Sequence, residues 1–342
     1  SICAEAQTGY GYLPLFIWAF GCAVSGRGVM EQYNDANLGK PLSPKTEAMR
    51  LKTVLQTTRP AFLVLTPVCV FLGLSTSLTS QSPINGILFL VLMLGAISAH
   101  IGVNTLNEYY DFKSGLDLKT AKTPFSGGSG ALPGNPGVAG LTLIVGFASL
   151  LLTVAIGIYL VLERGIHVLP IGIVGVGLII TYTQWINRLP LLCLIAPGLG
   201  FGVLMVVGTH VVLGGEHSRL SWLVSLIPFF LVNNLLLLNQ YPDIKADASV
   251  GRKTFPIAFG IKRSNFVYAS FMLAAYSLVL FLVIKGYIPA LAVIALMPMG
   301  LSLFALAGAV KYTLEIGRYP LYMGANVAAA VLTPLLLGIS II

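Results

Sequence analysis

Two stretches of the chain concentrate side chains that offer oxygen atoms. The first holds Asn107, Asp111 and Asp117, and the second holds Asp243 and Asp247. The whole chain has only twelve acidic residues, so this concentration is not random scatter. On a helix, residues four apart share a face, so Asn107 and Asp111 can address one point, and so can Asp243 and Asp247. Carboxylate and amide oxygens of this kind suit Mg²⁺.

A glycine separates Asp117 from the rest of the first stretch. Asp117 follows Asp111 by six residues, with Gly115 between them. Asp117 can therefore join the same site only if the helix ends near Ser114 and the chain turns back. Glycine permits such a turn because it readily adopts the left-handed conformation found at helix C-termini. The sequence predicts a helix end just before Gly115.

Basic residues follow both acidic stretches. Lys119 and Lys122 come after the first, and Arg252 and Lys253 come after the second. Mg²⁺ normally binds through a few carboxylates together with substrate phosphates, and Lys and Arg hold the remaining phosphate oxygens. We therefore expect a site that binds a diphosphate and stabilises the charge that develops as it leaves. The simpler alternative is a solvated, salt-bridged rim of charges at two helix ends.

The elements that must position these residues are membrane helices. Of the 342 residues, 56% are hydrophobic and 9% are charged, and the mean hydropathy is +0.87. Soluble domains have roughly 25% charged residues. Apolar spans of about 20 residues fit transmembrane helices and are about twice as long as barrel strands, so the predicted fold class is all-α. The nine predicted spans are residues 60–79, 84–106, 138–162, 166–184, 191–214, 221–240, 266–284, 287–310 and 321–342.

The distribution of basic residues predicts the orientation in the membrane. When the loops are assigned alternately to the two sides, all but four of the twenty Lys and Arg lie on the side of the segment before Arg59. Arg164, Arg219 and Lys285 lie on the other side, and Arg27 is not assigned. This asymmetry follows the positive-inside pattern, which places both acidic stretches on the cytoplasmic side. It also accounts for the net charge of +8 without a nucleic acid partner.

The N-terminal residues differ from the predicted spans. Residues 1–49 are predicted to be an extension, followed by a transmembrane domain over residues 50–342. Within the extension, Tyr12–Val24 is apolar but short for a span. We interpret residues 1–29 either as an interfacial segment or as sequence foreign to the native protein, with Met30 as the natural start.

The sequences around the two acidic stretches run in parallel. Asn107-Glu-Tyr-Tyr-Asp111 aligns with Asn239-Gln-Tyr-Pro-Asp243, and each follows a predicted span. This pattern is typical of an internal duplication. A duplication of this kind would bring two acidic helix ends to face each other.

These stretches resemble the two aspartate-rich motifs of the UbiA superfamily of membrane prenyltransferases. The first motif corresponds to residues 107–117, and the second to residues 243–247 followed by Gly251-Arg-Lys-Thr254. Most of the superfamily places the last aspartate of the first motif four residues after the middle one, whereas the gap here is six. That spacing is similar to the 1,4-dihydroxy-2-naphthoate polyprenyltransferases of menaquinone synthesis and their vitamin K relatives. Accessory matches to that branch are residues 125–130, 182–183 and 232–234.

The resemblance covers about residues 50–342 and implies both fold and function. A helical bundle would surround a central cavity, with the two motifs facing each other across its cytoplasmic mouth. Mg²⁺ would join them to a prenyl diphosphate, whose polyprenyl group passes to an aromatic acceptor such as 1,4-dihydroxy-2-naphthoate. The implied metal ligands are Asn107, Asp111, Asp117, Asp243 and Asp247, of which Asp111, Asp243 and Asp247 are also implied to be catalytic. The implied substrate-binding residues are Arg59, Lys119, Lys122, Tyr182, Asn234, Asn239, Arg252 and Lys253.

Several of these residues also have simpler interpretations. Arg59 is either a phosphate contact or an interfacial cation whose head group reaches the aqueous side. Tyr182 and Asn234 either touch substrate or stabilise helix packing. His100 and His210 lie inside predicted spans and either contact substrate or form internal hydrogen bonds.

Two other functions are kept as alternatives. The first is prenyl transfer to another acceptor, namely 4-hydroxybenzoate, homogentisate or an isoprenyl glycerol lipid. The second is an ion-coupled transporter, but its acidic residues should lie near the bilayer midplane on broken helices, whereas these lie at helix ends among bases. We therefore expect an integral multi-pass enzyme in the lipid bilayer of a prokaryotic plasma membrane, with its active site on the cytoplasmic side.

Overall fold

The structure is a computed structural model that describes residues 44–80, 83–214 and 216–342. Within these ranges every regular element is helical, which confirms the predicted fold class. The predictions for residues 1–29 lie outside the described residues. Contacts along the chain divide it into two units, residues 1–47 and 48–342, and the cavity and the site described below lie in the second.

The helices follow one another with short connections. In chain order the α-helices are α1 (Pro44–Thr57), α2 (Pro60–Leu63), α3 (Leu65–Leu78), α4 (Gly86–Lys113), α5 (Ala131–Gly134), α6 (Ala139–Arg164), α7 (Leu169–Tyr182), α8 (Pro190–Gly198), α9 (Met205–Gly214), α10 (Arg219–Asn239), α11 (Ile244–Ser249), α12 (Phe255–Phe259), α13 (Ile261–Ile284), α14 (Met299–Tyr312) and α15 (Pro320–Ile341). Short 3₁₀ segments are Pro136–Val138, Ile166–Val168, Ile186–Arg188, Ala290–Leu296 and Thr313–Arg318. A π-helical segment, Leu199–Leu204, joins α8 to α9.

In the described ranges, eight helical segments are long and apolar enough to cross a membrane. A shorter apolar segment, Ile166–Tyr182, corresponds to the fourth predicted span. Each of the nine predicted spans thus coincides with a helical segment. One difference concerns α4, whose predicted span ends at residue 106 but which continues to Lys113. Its last turns carry buried polar side chains, which hydropathy cannot distinguish from a loop.

One span departs from regular α-helical geometry. α8 contains Pro197 and runs directly into the π-helical segment. Proline removes a backbone hydrogen bond, and π-turns in helices often lie at functional sites. The buried backbone N–H of Gly198 donates to Asn233 Oδ1 on α10 at 2.6 Å. The irregular segment is thereby fastened to α10.

A cavity of about 1060 Å³ lies within the bundle. Its body is apolar, with walls from α4, α6, α7 and the α8–α9 segment that include Leu92, Ile156, Ile171 and Leu204. Its other end reaches the acidic residues of both motifs. The volume is slightly above the roughly 300–1,000 Å³ typical of ligand pockets. The chain therefore provides a long apolar chamber with a charged mouth.

Candidate active site

The first acidic motif lies at the C-terminus of α4. The backbone N–H of Leu116 donates to the carbonyl of Asp111 at 3.1 Å, and that of Gly115 donates to Phe112 at 3.1 Å. These two bonds form a Schellman motif, which requires the left-handed conformation that Gly115 adopts at φ 74°. The chain turns back at this point, as predicted, and carries Asp117 to the same cavity mouth as Asp111.

The second acidic motif ends with the same backbone arrangement. The N–H of Arg252 donates to the carbonyl of Asp247 at 3.1 Å, and that of Gly251 donates to Ala248 at 3.2 Å. Gly251 is left-handed at φ 79°. Asp111 and Asp247 therefore occupy equivalent positions, three residues before the cap of their helices. The sequence parallel instead aligned Asp111 with Asp243, so the structural equivalence is shifted by one helical turn.

The guanidinium group of Arg252 brings the two motifs together. It donates to Asp247 Oδ1 at 2.9 Å and also forms an ion pair with Asp111 Oδ1. Burial alone lowers the pKa of Arg252, but the carboxylates of Asp111 and Asp247 raise it above its ordinary value, so the group stays charged. Residues separated by more than a hundred positions along the chain thus share one mouth.

Two carboxylates at the mouth have incomplete hydrogen bonding. Asp117 Oδ2 and Asp243 Oδ1 are buried and have no hydrogen-bond partner. Burial, followed by the charges of Glu108 and Asp111, raises the pKa of Asp117 to about 7. Burial, followed by the charge of Asp247, raises the pKa of Asp243 to about 7. The guanidinium groups of Arg59 and Arg252 lower both pKa values only in part.

These free oxygens fit a divalent metal ion bound together with an anion. In the described part of the chain, no group of three or more His, Cys, Asp or Glu side chains is close enough to enclose a metal. Mg²⁺ does not need such a cage, because it keeps several waters and shares its coordination with substrate phosphates. Sparse carboxylates with unpartnered oxygens on two facing helix ends match that requirement.

Glu108 links Arg59 and the 123–130 segment at the cavity mouth. Its side chain is 0% exposed. It accepts hydrogen bonds from Arg59 Nε at 2.7 Å, from the backbone of Ser129 at 2.8 Å and from the Ser129 hydroxyl at 2.6 Å. Arg59 also donates to Asn107 Oδ1 at 3.2 Å and has a left-handed backbone at φ 52°. A non-glycine residue in this conformation before a proline is strained, and such strain concentrates at functional sites.

The segment from Thr123 to Gly130, which we term the strap, connects the two motifs. Its Gly127 N–H donates to Asp243 Oδ2 at 3.0 Å, while Ser129 binds Glu108. The Lys122 ammonium group, just before the strap, donates to the carbonyl of Ser129. The strap therefore forms hydrogen bonds with both motifs.

Most of the predicted site residues line the cavity. They are Arg59, Asn107, Asp111, Asp117, Lys122, Tyr182, Asn239, Asp243, Asp247 and Arg252. His100 also lines it, with Nδ1 2.7 Å from the Thr66 hydroxyl and its ring against Phe201. His210 is not part of the lining and instead lies 3.1 Å from the Thr76 hydroxyl.

Three predicted substrate-binding residues do not line the cavity. Lys119 and Lys253 are exposed, and the Lys119 ammonium group lies 3.5 Å from the Ser249 hydroxyl. Asn234 is buried and donates to the backbone carbonyl of Tyr268 on α13 at 2.9 Å. The two lysines do not line the cavity, because side chains that are close in sequence can point in different directions once a helix has ended. Asn234 does not line the cavity because its side-chain amide group donates a hydrogen bond to the neighbouring helix α13.

Sequence reasoning missed several polar residues of the cavity wall. Asn187, Gln240 and Thr254 each line the cavity with a buried oxygen that has no hydrogen-bond partner. Asn187 lies outside any motif, so no spacing singled it out. Glu108 lies within the first motif, but no spacing in the sequence indicates that it anchors Arg59 and the strap.

Comparison with known proteins gives a consistent picture. The model of the UbiA prenyltransferase family matches residues 64–316. The chain is 29% identical over 259 residues to the 1,4-dihydroxy-2-naphthoate octaprenyltransferase of Bacillus subtilis (strain 168), covering 74% of this chain and 80% of that protein. It is 26% identical over 242 residues to UbiA prenyltransferase domain-containing protein 1 of Dictyostelium discoideum, covering 68% and 71%.

Solved structures share the fold. The apo structure of a UbiA homolog from Aeropyrum pernix K1 matches with a TM-score of 0.60 and 20% identity, covering 82% of this chain and 96% of that one. A UbiA homolog from Archaeoglobus fulgidus bound to DMAPP and Mg²⁺ matches with a TM-score of 0.57 and 16% identity, covering 81% and 97%. The all-helical bundle is therefore a known membrane architecture.

Proposed function

Because the chain belongs to the UbiA prenyltransferase family, we propose that it transfers a polyprenyl group from a prenyl diphosphate to 1,4-dihydroxy-2-naphthoate. It is an integral, multi-pass membrane prenyltransferase, and Mg²⁺ is its cofactor. The choice of acceptor rests on the similarity to the Bacillus subtilis enzyme and on the six-residue gap between Asp111 and Asp117. The excess of Lys and Arg in the loops on the side of the mouth favours a cytoplasmic active site.

One observation carries the proposal. Asp111 and Asp247 meet at a single guanidinium group, that of Arg252, at the mouth of an apolar cavity. A transporter site would lie near the middle of the membrane on broken helices. These carboxylates instead lie beyond or at the ends of α4 and α11, next to a chamber that suits a hydrocarbon chain.

Each part of the mouth has a role in this proposal. Asp111, Asp117, Asp243 and Asp247 would hold Mg²⁺ together with the diphosphate, with the amide oxygens of Asn107 and Asn239 beside them. When bound, the metal ion neutralises charge on the leaving diphosphate. The guanidinium groups of Arg252 and Arg59, with the ammonium group of Lys122, donate to diphosphate oxygens.

The cavity body controls the fate of the reactive carbon. The bond between the allylic carbon and the diphosphate oxygen breaks, and a new bond forms between that carbon and an electron-rich ring carbon of the acceptor. The diphosphate leaves with the bonding electrons, and the ring carbon loses a proton or its carboxyl group. Apolar walls such as Leu92, Ile156 and Leu204 exclude the water that would otherwise capture the allylic cation.

An acceptor panel tests this function. The purified protein is incubated with a labelled prenyl diphosphate, Mg²⁺ and one of four acceptors: 1,4-dihydroxy-2-naphthoate, 4-hydroxybenzoate, homogentisate or an isoprenyl glycerol lipid. Mass spectrometry of the extracted lipids should show product with the naphthoate, and chelation should abolish it. Product with a different acceptor alone would overturn the choice of acceptor. Absence of product with all four would overturn prenyl transfer to these acceptors.

Two variants test the assignment of the mouth. Asp111→Ala and Asp243→Ala should each abolish product formation while the protein stays folded by size-exclusion chromatography. Glu315→Ala is the matched control, since Glu315 is an exposed acidic residue whose ion pair with Arg318 lies in solvent. Wild-type activity in either aspartate variant would refute the assignment.

A further inference from the structure

The cavity wall contains a second group of polar side chains, which are uncharged. Asn187 and Thr254 are 3% and 2% exposed, and the Asn187 Oδ1 and Thr254 Oγ1 atoms have no partner. Gln240 adds a third buried oxygen without a partner, Oε1. All three residues line the cavity. Buried polar atoms are nearly always hydrogen-bonded in native proteins, so a cluster of orphaned oxygens facing one cavity indicates a ligand.

Local contacts place these side chains on one wall. The backbone N–H of Lys253 donates to the Asn187 carbonyl at 2.9 Å, which joins the Ile186–Arg188 segment to the residues before α12. The Gln240 amide lies 3.4 Å from Cys193 Sγ at the start of α8. Cys193 packs with Tyr182 in a small apolar cluster, so the polar group has an apolar neighbour on the same wall.

The Thr254 hydroxyl is free despite a position that usually engages it. Thr254 is the N-cap residue of α12, where a threonine hydroxyl normally accepts from the helix backbone. Here it makes no capping hydrogen bond. Thr254 lines the same cavity as Arg252, whose guanidinium group lies between the two motifs.

The chemistry of this wall differs from that of the mouth. Its orphaned atoms belong to uncharged side chains, and two of them are amide oxygens that can only accept hydrogen bonds. A diphosphate offers acceptor oxygens, so it cannot satisfy them. A phenolic hydroxyl is a donor, and an aromatic ring fits beside Tyr182 and Cys193.

From this arrangement we propose that Asn187, Gln240 and Thr254 form the subsite that binds the hydroxyl groups of an aromatic diol acceptor. The inference rests on the proposed prenyl transfer and adds the residues that recognise the acceptor. The subsite holds the ring between the apolar pair Tyr182 and Cys193 and the diphosphate end of the mouth. The ring is thereby placed next to the carbon that the diphosphate releases.

Steady-state kinetics of two variants tests the subsite. Thr254→Val and Asn187→Ala should each raise the acceptor KM about tenfold, the effect of losing one hydrogen bond of about 1.4 kcal/mol. The KM values for prenyl diphosphate and Mg²⁺ should stay within about twofold of wild type. Thr181→Val is the matched control, because the Thr181 hydroxyl donates to the Gly177 carbonyl of its own helix and does not line the cavity.

A change in the ligand provides the second arm of the test. The wild-type protein should be inhibited more strongly by a naphthalene diol than by its dimethyl ether, which has no hydroxyl donor, and Thr254→Val should lose that preference. If both variants keep the wild-type acceptor KM, or raise the KM for Mg²⁺ instead, the subsite is wrong although prenyl transfer stands. If the wild-type protein makes no product with any aromatic diol, the proposed function has failed first.

Discussion

Replacing Glu108 with Gln would test how the cavity mouth is held together. Glu108 is fully buried and forms an ion pair with Arg59 at 2.6 Å, while also accepting two hydrogen bonds from Ser129. Gln has nearly the same shape and can still bond to Ser129, so the substitution removes mainly the charge. The Arg59 guanidinium then stays in the mouth without its counterion.

The expected loss of stability can be estimated from the exposure of the two partners. Removing one member of a fully buried ion pair typically costs about 3–5 kcal/mol. The Arg59 side chain is 27% exposed, so water solvates the unpaired guanidinium group and offsets part of that cost. We therefore expect the free energy of unfolding to fall by about 2–3 kcal/mol. Glu315→Gln is the control, because Glu315 and Arg318 are 63% and 77% exposed. That exposed pair should contribute less than about 1 kcal/mol.

Two measurements on the purified protein would check this estimate. The first is the free energy of unfolding, obtained by titrating micelles with denaturing detergent. The second is tryptic cleavage after Lys122 in Glu108→Ala, which should accelerate because Ala cannot accept the hydrogen bonds of Ser129 and the strap loses its anchor. If Glu108→Gln lowers stability no more than Glu315→Gln, or if cleavage after Lys122 is unchanged, Glu108 does not anchor the mouth.

Three further predictions concern charge, metal and packing. Burial raises the pKa of Asp117 and Asp243 from 3.8 to about 7, so without metal the free energy of unfolding should fall as pH rises from about 4 to about 7. A pH series with chelator would show this fall, and its absence would refute the burial of both groups. Mg²⁺ added to chelated protein should raise the melting temperature, and should do so less in Asp243→Asn. Asn234→Leu should lower stability by about 1 kcal/mol, since the Asn234 amide bonds Tyr268, without changing any KM; a raised KM would return Asn234 to the substrate site.

Much of the fold could be predicted from hydropathy alone. All nine predicted spans coincide with helical segments, because a lipid-facing backbone must satisfy its own hydrogen bonds. The end of α4 could not be placed in the same way. Its final turns carry Glu108 and Asp111, which are buried by contacts with Arg59 and Arg252 from distant parts of the chain. A hydropathy scale measures the free energy of transferring a side chain out of water and does not account for ion-pair partners that are distant in sequence.

The site was predictable where a local rule applied. Gly115 signals a helix end, and that end brings Asp117 back to the mouth. No local rule of this kind applies to Lys119 and Lys253. They are close in sequence to Asp117 and Arg252, but that closeness does not determine where their side chains point beyond a turn. Asn187 has no sequence signal at all. It joins the cavity wall only through the packing of a 3₁₀ segment against the residues before α12.

The shared geometry of the two acidic helix ends has a consequence for the order in which substrates bind. The C-terminus of a helix carries a partial negative charge from its free carbonyl groups, and α4 directs this end to the mouth. This partial charge adds to the negative charge of the carboxylates at the mouth, which outnumber the nearby guanidinium groups in the described structure. A free diphosphate approaching such a surface is repelled, whereas a divalent cation is attracted. The enzyme should therefore bind its anionic substrate only after, or together with, the metal ion. Free diphosphate in excess of the metal ion should not bind.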